Sequence, residues 1–148
     1  MTGLSSLAPD LTKEYPRSPH VRIGGYVVVA RTLDKCRATL NGSNGEYHFD
    51  CPLDNFFFSF AEITADAFKE FVGTGATDVE VGEWIRENAK KREDIEVIKW
   101  NNEMRYKRIS EMPDPLQEFL EGYIPEFIPA DRRVNYWFDV YDIEEERI

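Results

Sequence analysis

The sequence predicts a mainly α protein, a single compact helical domain over 1–148 with at most a short strand or extended segment near 45–51. Three observations carry this expectation. Apolar residues recur at three- and four-residue spacing through most of the chain, the period of a helix with one buried face. Helix-starting chemistry, a proline or a threonine or aspartate, stands ahead of most of those stretches. At 148 residues, 42% hydrophobic and 14% aromatic, the chain can build an apolar core without a metal or disulfide staple.

Residues 1–23 hold Pro9, Pro16 and Pro19 and show neither a helical nor an alternating period, so they read as an extended N-terminal arm packed on the domain. From Gly25 to about Leu40 the positions Val29, Leu33, Cys36 and Leu40 share one helical face, and Arg31, Asp34, Lys35 and Ala38 share another. The β-branched run 27–29 pulls toward strand, against the helical period. Residues 41–45, Asn-Gly-Ser-Asn-Gly, are turn chemistry, and 46–51 form a short extended piece. Pro52 opens a helix through Phe60 that turns Phe56, Phe57 and Phe60 inward.

The next helix, 64–72, repeats Phe68, Phe71 and Val72 and ends at Gly73-Thr74-Gly75. Thr77-Asp78-Val79-Glu80 is a capping-box signature for a helix with Val81, Trp84, Ile85 and Ala89 as its buried stripe. Residues 93–110 fit a hairpin turning at Asn101-Asn102 or a helix through Val97, Trp100 and Met104, and helix is preferred. Pro113 and Pro115 start a helix through Gly122 that Pro125 and Pro129 close. Asp131 caps a last helix whose Val134, Trp137, Phe138 and Tyr141 face inward.

A formal charge of −10 argues against nucleic acid and anionic membrane as partners, since both bind cationic surface. The longest apolar run, residues 26–30, is far short of the roughly 20 residues that cross a bilayer. With two cysteines and no apolar stretch of secretory length after the N-terminus, the expectation is a cytoplasmic protein with reduced thiols. The charge is unevenly spread. Between 17 and 37 stand five cations, Arg17, Arg22, Arg31, Lys35 and Arg37, and one acid, Asp34, a local net of +4 inside an acidic protein.

The motifs PRSP (16–19), GGYV (24–27), ARTLDKCRA (30–38), GSNGEYHFDCPLD (42–54) and YWFDVYD (136–142) resemble a bacterial family known as a domain of unknown function. The resemblance covers nearly the whole chain, implies a single-domain bacterial protein of this length, and brings with it no activity, cofactor or partner. It draws attention to Arg17, Arg31, Asp34, Lys35, Arg37, Tyr47, Cys51 and Asp54. Cys36 and the acidic tail EEERI depart from the family pattern.

Three functional readings follow from these residues. The first is a binding site for a small phosphate- or carboxylate-bearing ligand. Arg31 and Lys35 stand one helical turn apart with like charge, which something negative must offset. Arg17, Arg31 and Lys35 would contact the anion, Arg37 would add to them, and Tyr47 would orient it through its hydroxyl. Asp34 and Asp54 belong to the same constellation and offer an internal alternative, one buried network with Arg31 and Lys35.

The second reading is a cysteine-dependent enzyme. Cys51 precedes Pro52 at a helix N-terminus, which favours a thiolate, and His48 lies three residues upstream as a base, while Asp50 and Asp54 oppose ionisation. The third is a protein-interaction module in which the polar groups are purely structural. His20, Cys36, His48 and Cys51 lack paired ligand spacing, so no metal site is expected, and no cofactor motif is present. The oligomeric state is left open.

Overall fold

The computed structural model describes residues 2–148, with side chains from Gly3 onward. The chain is mainly α: eight α-helices, one 3-10 turn and two isolated β-bridges form its regular structure among the described residues. None of these helices is long and apolar enough to cross a membrane. Two units are distinguished, one ending at Val97 and the other spanning Ile98–Ile148.

The first unit contains α1 (Thr2–Leu7), α2 (Val29–Asn41), α3 (Pro52–Ala61), α4 (Ala65–Val72) and α5 (Asp78–Asn88), then the first turn of α6 (Asp94–Arg105). Its packing centres on α2, which touches α1, α3 and α4. The β-branched run that competes with helix becomes the entry to α2. Val27, Val28 and Val29 are fully buried, and Val28 takes φ 77°, a left-handed conformation that costs a β-branched residue about 1–3 kcal/mol. The Val28 N–H donates to Pro19 O at 2.8 Å, which ties this strained residue to the preceding segment. Helix α2 therefore starts at Val29, and Gly42 at φ 73° closes it.

The other starts follow local chemistry. Pro52 occupies the first position of α3, and the Asp54 carboxylate accepts from the backbone N–H of Cys51 at 3.4 Å. The Thr64 hydroxyl caps α4 by accepting from the N–H of Ala67 at 3.0 Å. On α5 the expected capping box is formed: Thr77 N–H donates to Glu80 at 2.9 Å and Glu80 N–H to the Thr77 hydroxyl at 3.3 Å. Around α2 the interior is aromatic. Phe68 meets Phe58 edge-on at 5.5 Å and Trp84 at 6.1 Å, pairs worth about 0.5–1.5 kcal/mol each beyond the area they bury.

The arm differs from expectation. Residues 2–7 form α1 and residues 11–14 a turn, so 1–23 is not extended throughout, and Met1 of the expected arm lies outside the described residues. Six residues carry too little period to register in a sequence, and a helix that short depends on tertiary support, here α2. Residues 45–50 are turn, bend and unassigned backbone, not strand.

In the second unit the helical reading holds for α6 as far as Arg105. Arg108 then bridges Tyr136, and Ile109–Glu111 form the 3-10 turn. Ile109 N–H donates to Asn135 O at 2.9 Å and Trp137 N–H to Lys107 O at 3.0 Å. These bonds fix the start of α8 (Trp137–Glu144), six residues past the expected cap at Asp131. Helix α7 (Asp114–Phe127) runs through Pro125, which therefore does not close it. Trp137, Phe138 and Val140 are buried, and Arg147 spans buried Asp142 and Glu145 at 3.0 and 2.6 Å.

Two glycines of the first unit meet backbone to backbone. A Cβ on Gly82 would lie 3.2 Å from Gly24 N, whereas one on Gly122 of α7 would meet nothing within 4 Å. Gly82→Ala is expected to lower stability by about 1–3 kcal/mol through overpacking, and Gly122→Ala to raise it by about 0.5–1 kcal/mol through reduced backbone entropy. Urea melts of the two variants check both signs.

Candidate functional site

Helix α2 carries Arg31, Asp34, Lys35 and Arg37 within two turns, and their exposures are 2%, 7%, 4% and 3%. The segment from Val29 to Ala38 is buried on every side, so the solvated face that its charges imply is not there. Each charge has to be met inside the fold, because an unpaired buried ion costs several kcal/mol. The structure gathers them into two separate clusters.

The first cluster joins the arm, α2 and α5. Asp34 accepts from Arg17 three times: from its backbone N–H at 2.8 Å, its Nε at 3.1 Å and its Nη2 at 3.0 Å. The far edge of the same guanidinium reaches Asp78, Nη1 to Oδ2 at 2.8 Å and Nη2 to Oδ1 at 3.4 Å. Arg37 Nη1 donates to Asp78 Oδ1 at 2.9 Å and its Nη2 to Ala76 O at 2.9 Å. Asp78 thus bridges two guanidinium groups from the first position of α5. Arg31 supports the cluster from behind, with Nη1 3.3 Å from Arg17 O and its guanidinium carbon 5.6 Å from the centre of the Tyr47 ring.

The second cluster joins α2 to the start of α3. Asp54 is fully buried and accepts from Thr32 Oγ1 at 2.5 Å, from Lys35 Nζ at 3.0 Å and from the backbone N–H of Asp50 at 2.9 Å. Lys35 Nζ also donates to Cys51 Sγ at 3.0 Å. Asp50 turns the chain into this arrangement at φ 67°, a left-handed conformation that aspartate tolerates better than most residues. His48 is exposed and makes no hydrogen bond to Cys51; the polar side chain at the sulfur is Lys35.

One cleft of about 480 Å³ opens against the first cluster. Glu14, Tyr15 and Arg17 line it from the arm, together with Asp34 and Arg37 of α2 and Asp78 of α5. Of the residues brought forward by the sequence, Arg17, Asp34 and Arg37 reach this cleft. Arg31, Lys35, Tyr47, Cys51 and Asp54 are not among its lining. Asp34 and Asp54 share no partner, so the single network expected from the sequence is two.

Asp78 and Thr32 are the polar residues that the sequence did not single out. Asp78 reads as the first residue of a capped helix, and nothing local marks it as the acid that two arginines 41 and 61 positions away will share. Among the described residues no group of three His, Cys, Asp or Glu side chains is gathered as for a metal ion.

Burial alone would raise the Asp78 carboxyl, but hydrogen bonds and charge from Arg17 and Arg37 outweigh it and hold it below its ordinary value. Burial likewise works against the Arg17 charge and is outweighed by Asp78 and Asp34, so its pKa rises. Cys36, fully buried on α2, is pushed up to about 12, chiefly by burial.

Two outcomes are expected. Asp54→Asn should cost about 3–5 kcal/mol, because it strands a buried ammonium, and Asp78→Asn should cost less, because Asp78 is itself 45% exposed and the buried Arg37 keeps its bond to Ala76 O. Asp34→Asn and Asp78→Asn share Arg17 and should couple, while Asp34→Asn and Asp54→Asn should add within about 0.5 kcal/mol. Denaturant double-mutant cycles measure both.

A further outcome concerns pH. A carboxylate whose folded pKa is depressed contributes stability above its unfolded pKa of about 4, and loses it as pH falls through the folded value. Acid melts of the native chain should show that slope below about pH 4, and Asp78→Asn should flatten it.

Among curated proteins none matches the chain. A family match described as Domain of unknown function (DUF5069) covers residues 13–147, and so takes in Arg17, all of α2, the turn at Cys51 and Asp78. The chain belongs to this family, DUF5069.

Proposed function

We propose that the chain binds a small ligand through a carboxylate or phosphate group, in the cleft bounded by the arm, α2 and the start of α5. The observation that carries this reading is Asp78. Its carboxylate bridges Arg17 and Arg37 on the cleft wall while 45% exposed, so it occupies the place an oxyanion would take between two guanidinium forks. Arg17 and Arg37 are the anion contacts in this reading. Arg31 and Lys35, both buried, serve as scaffold.

Glu14 and Asp34 line the same cleft. They add acceptors to the cleft, which favour a ligand that carries a hydrogen-bond donor or a positive charge beside its acidic group. The cysteine-dependent alternative has less to support it, because the histidine it would use as base is exposed and makes no hydrogen bond to the thiol.

Thermal melts in phosphate, sulfate and acetate, matched in ionic strength to sodium chloride, test the proposal. The expected result is a melting temperature raised more by the oxyanions than by chloride, as binding to the folded state requires, with a gain of about 2.7 kcal/mol at one hundred times Kd. Arg17→Gln should abolish the difference. Equal shifts in all four salts would overturn the reading.

A further inference from the structure

The second cluster brings two nucleophilic side chains together away from the cleft. Lys35 Nζ lies 3.0 Å from Cys51 Sγ, and the lysine side chain is 4% exposed. The pair comes from different elements, α2 and the turn into α3, and Asp54 holds both halves. It accepts from Lys35 Nζ at 3.0 Å and from the backbone N–H of Cys51 at 3.4 Å. Cys51 itself is only partly buried, unlike the lysine it faces. The other thiol, Cys36, is fully buried and held protonated, and does not compete.

We propose that Lys35 and Cys51 form a modification site, in which hydrogen peroxide drives a reversible sulfur–nitrogen cross-link between them. In the first step the Cys51 sulfur attacks peroxide. An S–O bond forms, the O–O bond breaks, and the thiol becomes a sulfenic acid with release of one water. In the second step Lys35 passes a proton to Asp54, and its free amine attacks the same sulfur. An S–N bond forms, the S–O bond breaks, and the departing hydroxide takes up a proton from the nitrogen and leaves as a second water. Sulfur loses two electrons, peroxide gains two, and the linked chain is two hydrogen atoms lighter than the reduced one. A dithiol reductant reverses the reaction: one thiol attacks the sulfur and expels the amine, and the second displaces Cys51 from the mixed disulfide so formed, leaving the reductant oxidised.

The geometry favours this route over further oxidation. A sulfenic acid with no neighbour continues to sulfinic acid in excess peroxide, whereas one with an amine in contact condenses first. The link does not use the cleft and does not depend on the ligand reading above.

The test is peptide mapping of the full chain treated with hydrogen peroxide, then denatured without reductant and digested with trypsin. The expected result is loss of cleavage after Lys35, with its peptide joined to that of Cys51 and lighter by two hydrogens than their sum. Dithiothreitol should restore both peptides. Cys51→Ser should leave cleavage after Lys35 intact under peroxide, and Lys35→Arg, which keeps the cation but not a nucleophilic amine, should carry Cys51 on to sulfinic acid. Should Lys35→Arg fail to fold, the wild type and Cys51→Ser still decide the matter. Cys51 recovered from the wild type as sulfinic acid or as a disulfide with Cys36, with Lys35 unmodified, would overturn the proposal.

Discussion

The first unit depends on a charged helix buried on all sides. Helix α2 takes Arg31, Asp34, Lys35 and Arg37 out of water together, and the cost of doing so is recovered only when every charge is paired at close range. The neighbouring local structures supply a counter-charge to Asp34, Lys35 and Arg37, while Arg31 donates to Arg17 O and lies over the Tyr47 ring. The arm delivers Arg17 to Asp34, the Pro52 start of α3 delivers Asp54 to Lys35, and the Thr77 cap of α5 delivers Asp78 to Arg37. Even the strained left-handed Val28 belongs to this arrangement, since it begins the helix where its first turn can bring Thr32 to Asp54.

The two clusters that result have different chemical standing because they differ in exposure. Asp54 has no exposed surface and four donors, and in the reduced chain its charge holds α2 against α3. Asp78 is nearly half exposed, and water competes for the bonds it makes to Arg17 and Arg37. A group that is paired yet accessible can exchange partners. The proposed binding function rests on that difference: the cleft lies beside the accessible carboxylate Asp78, and the buried Asp54 joins α2 to α3.

Alternating charges one turn apart usually mark a helix face in water. Here the same pattern is an interior one, and the difference lies in what surrounds it. The sequence shows the local excess of +4, which demands counter-charge, but with 28 acidic residues in the chain it does not show which of them supply it. Asp78 illustrates this. Its place at the start of a capped helix is written within four residues, and its role between two arginines is written nowhere near it.

By itself the sequence determined the helical class, the Thr77–Glu80 capping box, the start of α3 at Pro52 and the inward Phe57 and Phe68, because helix period and end-capping act over three or four residues. Tertiary structure alone decided the rest. It placed α1 against α2, moved the start of α8 from Asp131 to Trp137, and carried α7 past Pro125. It also split one expected polar network into two. The pairs that define them, Arg17 with Asp34, Thr32 with Asp54, Arg37 with Asp78 and Arg17 with Asp78, span 17, 22, 41 and 61 residues. At those separations a charge finds its partner through the packing of helices, and no spacing along the chain records the choice.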